Sequence, residues 1–288
     1  MKSSLSSPSP AFYFFRLTQV VCLLLAFAAC EVDAVQETPN RSWTLTWSDD
    51  FEGDAGAAPD GTKWTYDIGR GDNGWGNQEL QYYTDAPENV SLDGEGNLRI
   101  TALRESFGGA PFTSARIKTE GLFEQKYGRF EARMKTPYGP GMWPAFWMLG
   151  SNINEVSWPQ CGEIDQMELR GQIPNTIAGS LHGPGYSAGN AISTSFALEN
   201  DRFDADFHVF AVEWGEDFID YFVDDFLYQR ITPADLPDGA EWVFNQPFFM
   251  ILNVAVGGDY VGFPTSQTPF PQQMIVDYVR VYTSADQQ

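Results

Sequence analysis

The chain has 288 residues, 39 Asp and Glu against 17 Lys and Arg, a formal net charge of −22, and an aromatic load of 22 Phe, 12 Tyr and 9 Trp. That acidity argues against nucleic acid as a partner and says little about a neutral polysaccharide. The length permits one or two domains, and a single all-β domain of roughly 200 to 250 residues is ordinary.

In chain order, Lys2 and Arg16 precede an apolar run, Val20 to Ala29. The run is too short for a bilayer, which takes about 20 residues, and fits the core of a signal peptide. Cleavage near 29/30 would leave Cys30 in a lipobox-like setting, and cleavage near 34/35 suits an ordinary signal peptidase. The reading is a signal over residues 1–34, a polar linker over 35–42, and a single β-domain over 43–285. The expected location is secreted, or lipid-anchored at a bacterial cell surface or outer membrane. Cys30 is the one expected link to a membrane. Cys22 and Cys30 lie in the signal region, so Cys161 has no disulfide partner and reads as a small buried residue. Asn40 and Asn89 sit in glycosylation-type triplets that an exported bacterial protein has little use for.

From Trp43 onward, short runs alternate and end at Gly, Pro, Asn or Asp: TLTWSDDF, NLRITALRE, FTSARIKTEG, YGRFEARMKTP, and later DFHVFAVEWGEDFIDYFVDDFLYQR, FFMILNVAVGG and MIVDYVRVYTS. Such runs read as strands. Helical periodicity is scarce, and PADLP is at most one turn. Many short strands without helices predict an antiparallel β-sandwich, with no repeat and no second domain.

GRGDNGWGNQELQYYT, residues 69–84, reads as a loop entering a strand. It is either a plain turn or a sugar-binding rim carrying Asn73, Trp75, Asn77 and Glu79. Arg70 and Arg116 are weaker candidates for the same groove. In GMWPAFWMLG, Trp143 and Trp147 share one face of a strand. They are core residues or a stacking surface for sugar rings, while Phe146 points to the core. His182 and His208 are the two histidines; His208 reads as a sheet position. Asn253 lies inside the apolar strand FFMILNVAVGG, where a polar side chain must find a partner or face a cleft. Trp242 is a further cleft candidate. There is no HExxH and no Cys/His cluster, so a catalytic metal is not expected.

WPQCGEIDQMELRG places Glu163, Asp165 and Glu168 within six residues. On a helix, Glu163 and Glu168 would be about 140° apart. On a plain strand, Glu168 would point away from the other two. One extra residue, a β-bulge around Gln166 and Met167, restores the common face. The two glutamate Cα atoms would then be about 13 Å apart. Inward-leaning side chains can close that to about 5 Å, the separation of nucleophile and acid/base in a retaining glycosidase. Asp165 between them can hold a proton and push the carboxyl pKa values apart.

GEIDQME resembles the catalytic strand of laminarinase-type members of glycoside hydrolase family sixteen. GWGNQELQYYT and HGPGYS resemble its other motifs, and the resemblance runs from about Trp47 to Tyr282. It implies a curved jelly roll with a substrate cleft on its concave face, Glu163 as nucleophile, Asp165 as its assistant and Glu168 as acid/base. It also implies cleft roles for Trp143, Trp147, His182 and Asn253. The extra residue before Glu168 resembles the endo-β-1,3-glucanase branch rather than the shorter lichenase spacing. The implied activity is retaining endo-hydrolysis of β-1,3-glucan by a monomer, with no cofactor in catalysis. The alternatives are a mixed-linkage β-1,3-1,4-glucan hydrolase or transglycosylase on the same site, or a non-catalytic glucan-binding protein. A structural calcium held by Asp277 and the carbonyls of Glu52 and Gly96 is implied as well, and oxygen ligands suit that ion.

Overall fold

The computed structural model describes residues 41–284; the expected signal, most of the expected linker, Cys30 and Asn40 lie outside them. In chain order the strands are β1 (Trp43–Asp49), β2 (Thr65–Tyr66), β3 (Gln81–Tyr83), β4 (Val90–Leu92), β5 (Leu98–Ala102) and β6 (Phe112–Ser114). Next come β7 (Arg116–Lys118), β8 (Gly128–Lys135), β9 (Met142–Gly150), β10 (Glu163–Leu169), β11 (Thr176–His182) and β12 (Ile192–Ala197). The last are β13 (His208–Trp214), β14 (Ile219–Val223), β15 (Phe226–Ile231), β16 (Phe248–Val256) and β17 (Gln272–Ser284). Helix is confined to single turns, among them α1 (Ile153–Val156) and a turn at Pro233–Asp235 within PADLP. Among the described residues no helix is long and apolar enough to cross a membrane.

Two antiparallel sheets stack. One has the order β15-β14-β13-β8-β17-β5-β4, with β1 also paired to β17. The other has the order β12-β11-β10-β9-β16-β7-β2. A short parallel pair, β3 and β6, stands beside them. Alternation decides what each strand gives to the core. On β9, Met142, Phe146 and Met148 turn inward; on β16, Phe248, Met250, Leu252 and Val254 do the same. They meet Phe130, Ala132 and Met134 of β8 and Val276, Val279 and Val281 of β17 in one cluster. Each fully buried large aliphatic or aromatic side chain contributes about 1.5–3 kcal/mol relative to an exposed one. The same alternation leaves the odd-numbered residues of β9 and β16 on the opposite face of the seven-stranded sheet: Trp143, Trp147 and Asn253. That face carries the site.

Candidate active site

β10 lies between β9 and β11. Against β11, Asp165 pairs with Ser180 and Glu168 with Ala178, so Gln166 and Met167 together face one residue, Gly179. Against β9, the register slips between Asp165 and Met167. This is a β-bulge, two residues opposing one. Ile164, Met167 and Leu169 are thereby all fully buried in the core, while Glu163, Asp165 and Glu168 emerge on the other face. Gln166 is itself fully buried. With its amide oriented to donate, Nε2 reaches the carbonyls of Ile164 and Phe146, each at 3.1 Å. A glutamine in the bulge thus supplies a donor where the ladder is interrupted.

The three carboxyls have different surroundings. Glu163 Oε2 accepts a hydrogen bond from Trp158 Nε1 at 2.6 Å. Its Oε1 lies 3.9 Å from His182 Nε2. Asp165 is 2% exposed and its Oδ2 is 3.0 Å from His182 Nε2, off the direction of a hydrogen bond. Burial first, then the charges of Glu163 and Glu168, hold Asp165 well above the usual carboxylate range. Glu168 Oε1 accepts from Trp143 Nε1 at 2.9 Å, and Ser180 Oγ lies 3.5 Å from Oε2. Burial and the charge of Glu163 push Glu168 up to about 7, against the opposing effects of His182, Trp143 and Ser180. A carboxyl with that pKa carries a proton at neutral pH and can also give it up, which suits a general acid/base.

The backbone N–H of Ala188 donates to His182 Nδ1 at 3.1 Å. That leaves the proton of the neutral ring on Nε2, facing Asp165. Ligand atoms of Glu163, Asp165 and His182 lie within 4.8 Å of one another. With Nε2 protonated, however, the grouping is an acid cluster with a donor beside it, not a ready metal site.

The rest of the face is a linked row. Trp147 Nε1 donates to Asn253 Oδ1 at 2.7 Å, Asn253 Nδ2 to Tyr83 at 3.1 Å, and Tyr83 to Glu79 Oε2 at 3.2 Å. Gln81 and Asn77 donate to the same Glu79 carboxylate, whose pKa burial raises. The Arg116 guanidinium stacks on Trp75 at 4.8 Å and on Trp147 at 4.7 Å, and ion-pairs with Asp67 at 2.8 Å. Trp143 packs on Tyr260 at 5.1 Å, and Arg170 covers that tyrosine at 4.2 Å. Trp75, Asn77, Glu79, Trp143, Trp147, His182 and Asn253 are therefore brought into one network with the carboxylates or beside it.

The remaining candidates make other contacts. Asn73 is exposed, in the left-handed region at φ 50°, with no side-chain cap bond. Trp242 packs on Phe244 and donates to the Glu216 carbonyl at 3.1 Å, a contact that ties it to the β13–β14 turn. Arg70 donates to the Gly109 carbonyl on the surface. Cys161 is buried, and burial pushes its thiol up to about 11. Asn89 is 1% exposed and donates to the Thr101 carbonyl and to Thr113, so it does not present a glycosylation site. His208 contacts Asp224 at 2.6 Å, away from the cleft. Trp158, Tyr260 and Ser180 escaped the sequence reading. Trp158 had a signal, five residues before Glu163. The other two are recruited by pairing and by a loop.

A family model for glycosyl hydrolases family 16 matches residues 74–280. The chain is 41% identical to a beta-glucanase of Rhodothermus marinus over 276 residues, 93% of this chain and 94% of that one. It superposes on the endo-beta-1,3-glucanase of Pyrococcus furiosus with a TM-score of 0.81 at 45% identity, covering 85% of this chain and 96% of that one. For the laminarinase catalytic domain of Thermotoga maritima the TM-score is 0.79 at 47% identity, covering 84% and 98%. The curved jelly-roll sandwich expected from the motifs is therefore the fold, and the chain is a glycoside hydrolase that belongs to family 16.

Proposed function

We propose that the protein is a retaining endo-β-1,3-glucanase acting on laminarin-like glucans. Glu168 protonates the glycosidic oxygen as that bond breaks, while the Glu163 carboxylate attacks the anomeric carbon and forms a glycosyl ester. Glu168, now ionised, takes a proton from water, the water oxygen attacks the same carbon, and Glu163 leaves. Asp165 stays protonated between them and donates to Glu163. The observation that carries the reading is the bulged β10. It puts all three carboxyls on one face and leaves Glu168 with a pKa of about 7 beside a second carboxylate.

Stacking on Trp147 and Trp143, and the polar row from Asn253 to Glu79, supports a saccharide in the cleft. The β-1,3 preference is supported by the named activities of the relatives. Mixed-linkage hydrolysis and transglycosylation would use the same carboxylates, and a binding protein would not need them intact. Export, either by a signal cut near 34/35 or by a lipoprotein signal cut near 29/30 that leaves a lipid on Cys30, a single catalytic domain over 43–285 and a monomeric state belong to the same proposal on sequence grounds. The deciding experiment measures products from laminarin, mixed-linkage glucan and xyloglucan for wild type and Glu163→Gln. Short β-1,3 oligosaccharides that vanish in the variant are expected. Faster cleavage of mixed-linkage glucan would move the substrate, and binding without cleavage would remove the enzyme reading of this site.

Of the calcium set, the one charged ligand already has a partner. Gly96 and Glu52 are neighbours, with Glu52 Oε1 3.8 Å from where a Gly96 Cβ would stand. The charged ligand, Asp277, is engaged by Arg133 at 2.5 Å. A cation there would share the carboxylate with that guanidinium, which engages Oδ2 alone, and no step above depends on one.

A further inference from the structure

Core packing does not account for Trp158. It leaves 42% of its surface open, yet its ring is fixed from two sides. Its Nε1 donates to Glu163 Oε2 at 2.6 Å, shorter than the usual N–H···O bond and consistent with a charged acceptor. Its ring centre lies 6.1 Å from that of His182, tilted by 46°. The turn beneath it is braced. Cys161 N–H donates to the Ser157 carbonyl at 2.9 Å and Gly162 N–H to the Pro159 carbonyl at 3.0 Å. The Gln246 amide donates to the Cys161 carbonyl at 2.8 Å. A held turn therefore presents one indole edge to Glu163 and one indole face to solvent.

The charged and titratable groups around Glu163 are Asp165 and Glu168 on its own strand, His182 on β11 and the Cys161 thiol on the preceding turn. The two neighbouring carboxyls disfavour a negative charge on Glu163 when they are ionised. His182 Nε2, at 3.9 Å, is beyond hydrogen-bond reach. Direct donation comes from Trp158 and from protonated Asp165. A donor to the ionised form favours that form.

We propose that Trp158 is a positioning residue for Glu163, orienting its carboxylate and keeping it ionised through the indole N–H, and that its open face is the wall on which the adjoining saccharide unit stacks. The inference rests on Glu163 being the nucleophile. It is tested by initial rates on laminarin across pH for wild type, Trp158→Phe, Trp158→His, Trp158→Ala and Glu163→Gln, with melting curves for each.

Phe keeps a flat ring and loses the donor. Its kcat should fall about tenfold or more, the scale of a lost hydrogen bond to a charge, with KM little changed. The acid limb of its profile should move up by about one pH unit. His restores an N–H and should bring the limb back toward wild type, and Ala should add a several-fold rise in KM. A Phe variant with the wild-type acid limb overturns the proposal, whether or not kcat falls. If Phe does not fold, the His variant decides: a limb near wild type supports the role, and a limb displaced as far as in Ala overturns it. Wild-type cleavage by Glu163→Gln would instead remove the nucleophile assignment, and the Trp158 proposal with it.

Discussion

Replacing Glu168 with Gln should abolish hydrolysis and make the protein more stable at alkaline pH. Gln keeps the shape, can accept from Trp143 at Oε1, and can donate to Ser180 from the other side. What it removes is a charge that the site resists. Glu168 titrates at about 7 in the folded chain against an ordinary 4.5. The folded state therefore holds the proton more tightly than the unfolded chain does. Stability from this group is fully present below the unfolded pKa and is lost as pH rises toward the folded one. Above about pH 7 the ionised carboxylate costs about 3 kcal/mol relative to a neutral group. Gln escapes that cost. Urea unfolding at pH 5 and pH 8 reads it directly: the variant should gain about 3 kcal/mol over wild type at pH 8 and far less at pH 5. Equal gains at the two pH values, or none at pH 8, would refute the claim that burial and Glu163 hold the proton on Glu168.

Trp143→Phe deletes a donor to ionised Glu168, so the basic limb of kcat/KM on laminarin should move from near pH 7 to higher pH, by up to about one unit; an unmoved limb would contradict the assignment. Deleting Gln166 removes the bulge and leaves Asp165, Met167 and Glu168 in ordinary alternation, so the carboxyls stay on one face and measurable activity should survive. Deleting Gln166 and Met167 together sends Glu168 into the core, and both activity and the folded state should be lost, as activity assays and circular dichroism would report. Chelation by EDTA should leave the melting temperature unchanged within about 1 °C, because Asp277 already has its cation in Arg133; a large fall would restore the calcium site.

Much of the site could be read before any coordinates because it depends on parity. A six-residue stretch with three acids has few ways to face one side, and the bulge is the one that keeps Ile164 and Met167 in the core. The two tryptophans of β9 followed from the same alternation. What parity cannot supply is pairing across the sheet. Asn253 was legible as a polar residue in an apolar strand, but its partner Trp147 lies 106 residues away. Ser180 reaches Glu168 only because β11 pairs with β10, and Tyr260 reaches Trp143 from a loop. Trp242 and Asn73 have residue types that suit a sugar groove; the Trp242 indole N–H donates to the Glu216 carbonyl, and Asn73 stands exposed in the loop that also carries Trp75 and Asn77. Asp277 was chosen for its carboxylate, and sequence gave no sign that Arg133 would stand opposite it on β8.

The roles of the two glutamates follow from what surrounds them more than from their order in the chain. Both accept an indole N–H, Glu163 from Trp158 and Glu168 from Trp143, so that contact alone does not distinguish them. The difference lies in the neighbours. Three carboxyls this close and this buried cannot all be ionised near neutral pH. Asp165, the deepest, keeps its proton and passes a hydrogen bond to Glu163. Glu163 therefore receives two donors, one from below and one from the open rim, and is the member best supplied to carry the negative charge. That charge then raises its neighbour Glu168, which has only Trp143 and a distant Ser180 to favour ionisation. On the proposed mechanism, the nucleophile's ionisation thus makes the acid. Neutralising Glu163 should lower the pKa of Glu168 and leave less of it protonated at neutral pH, even before any substrate is attacked.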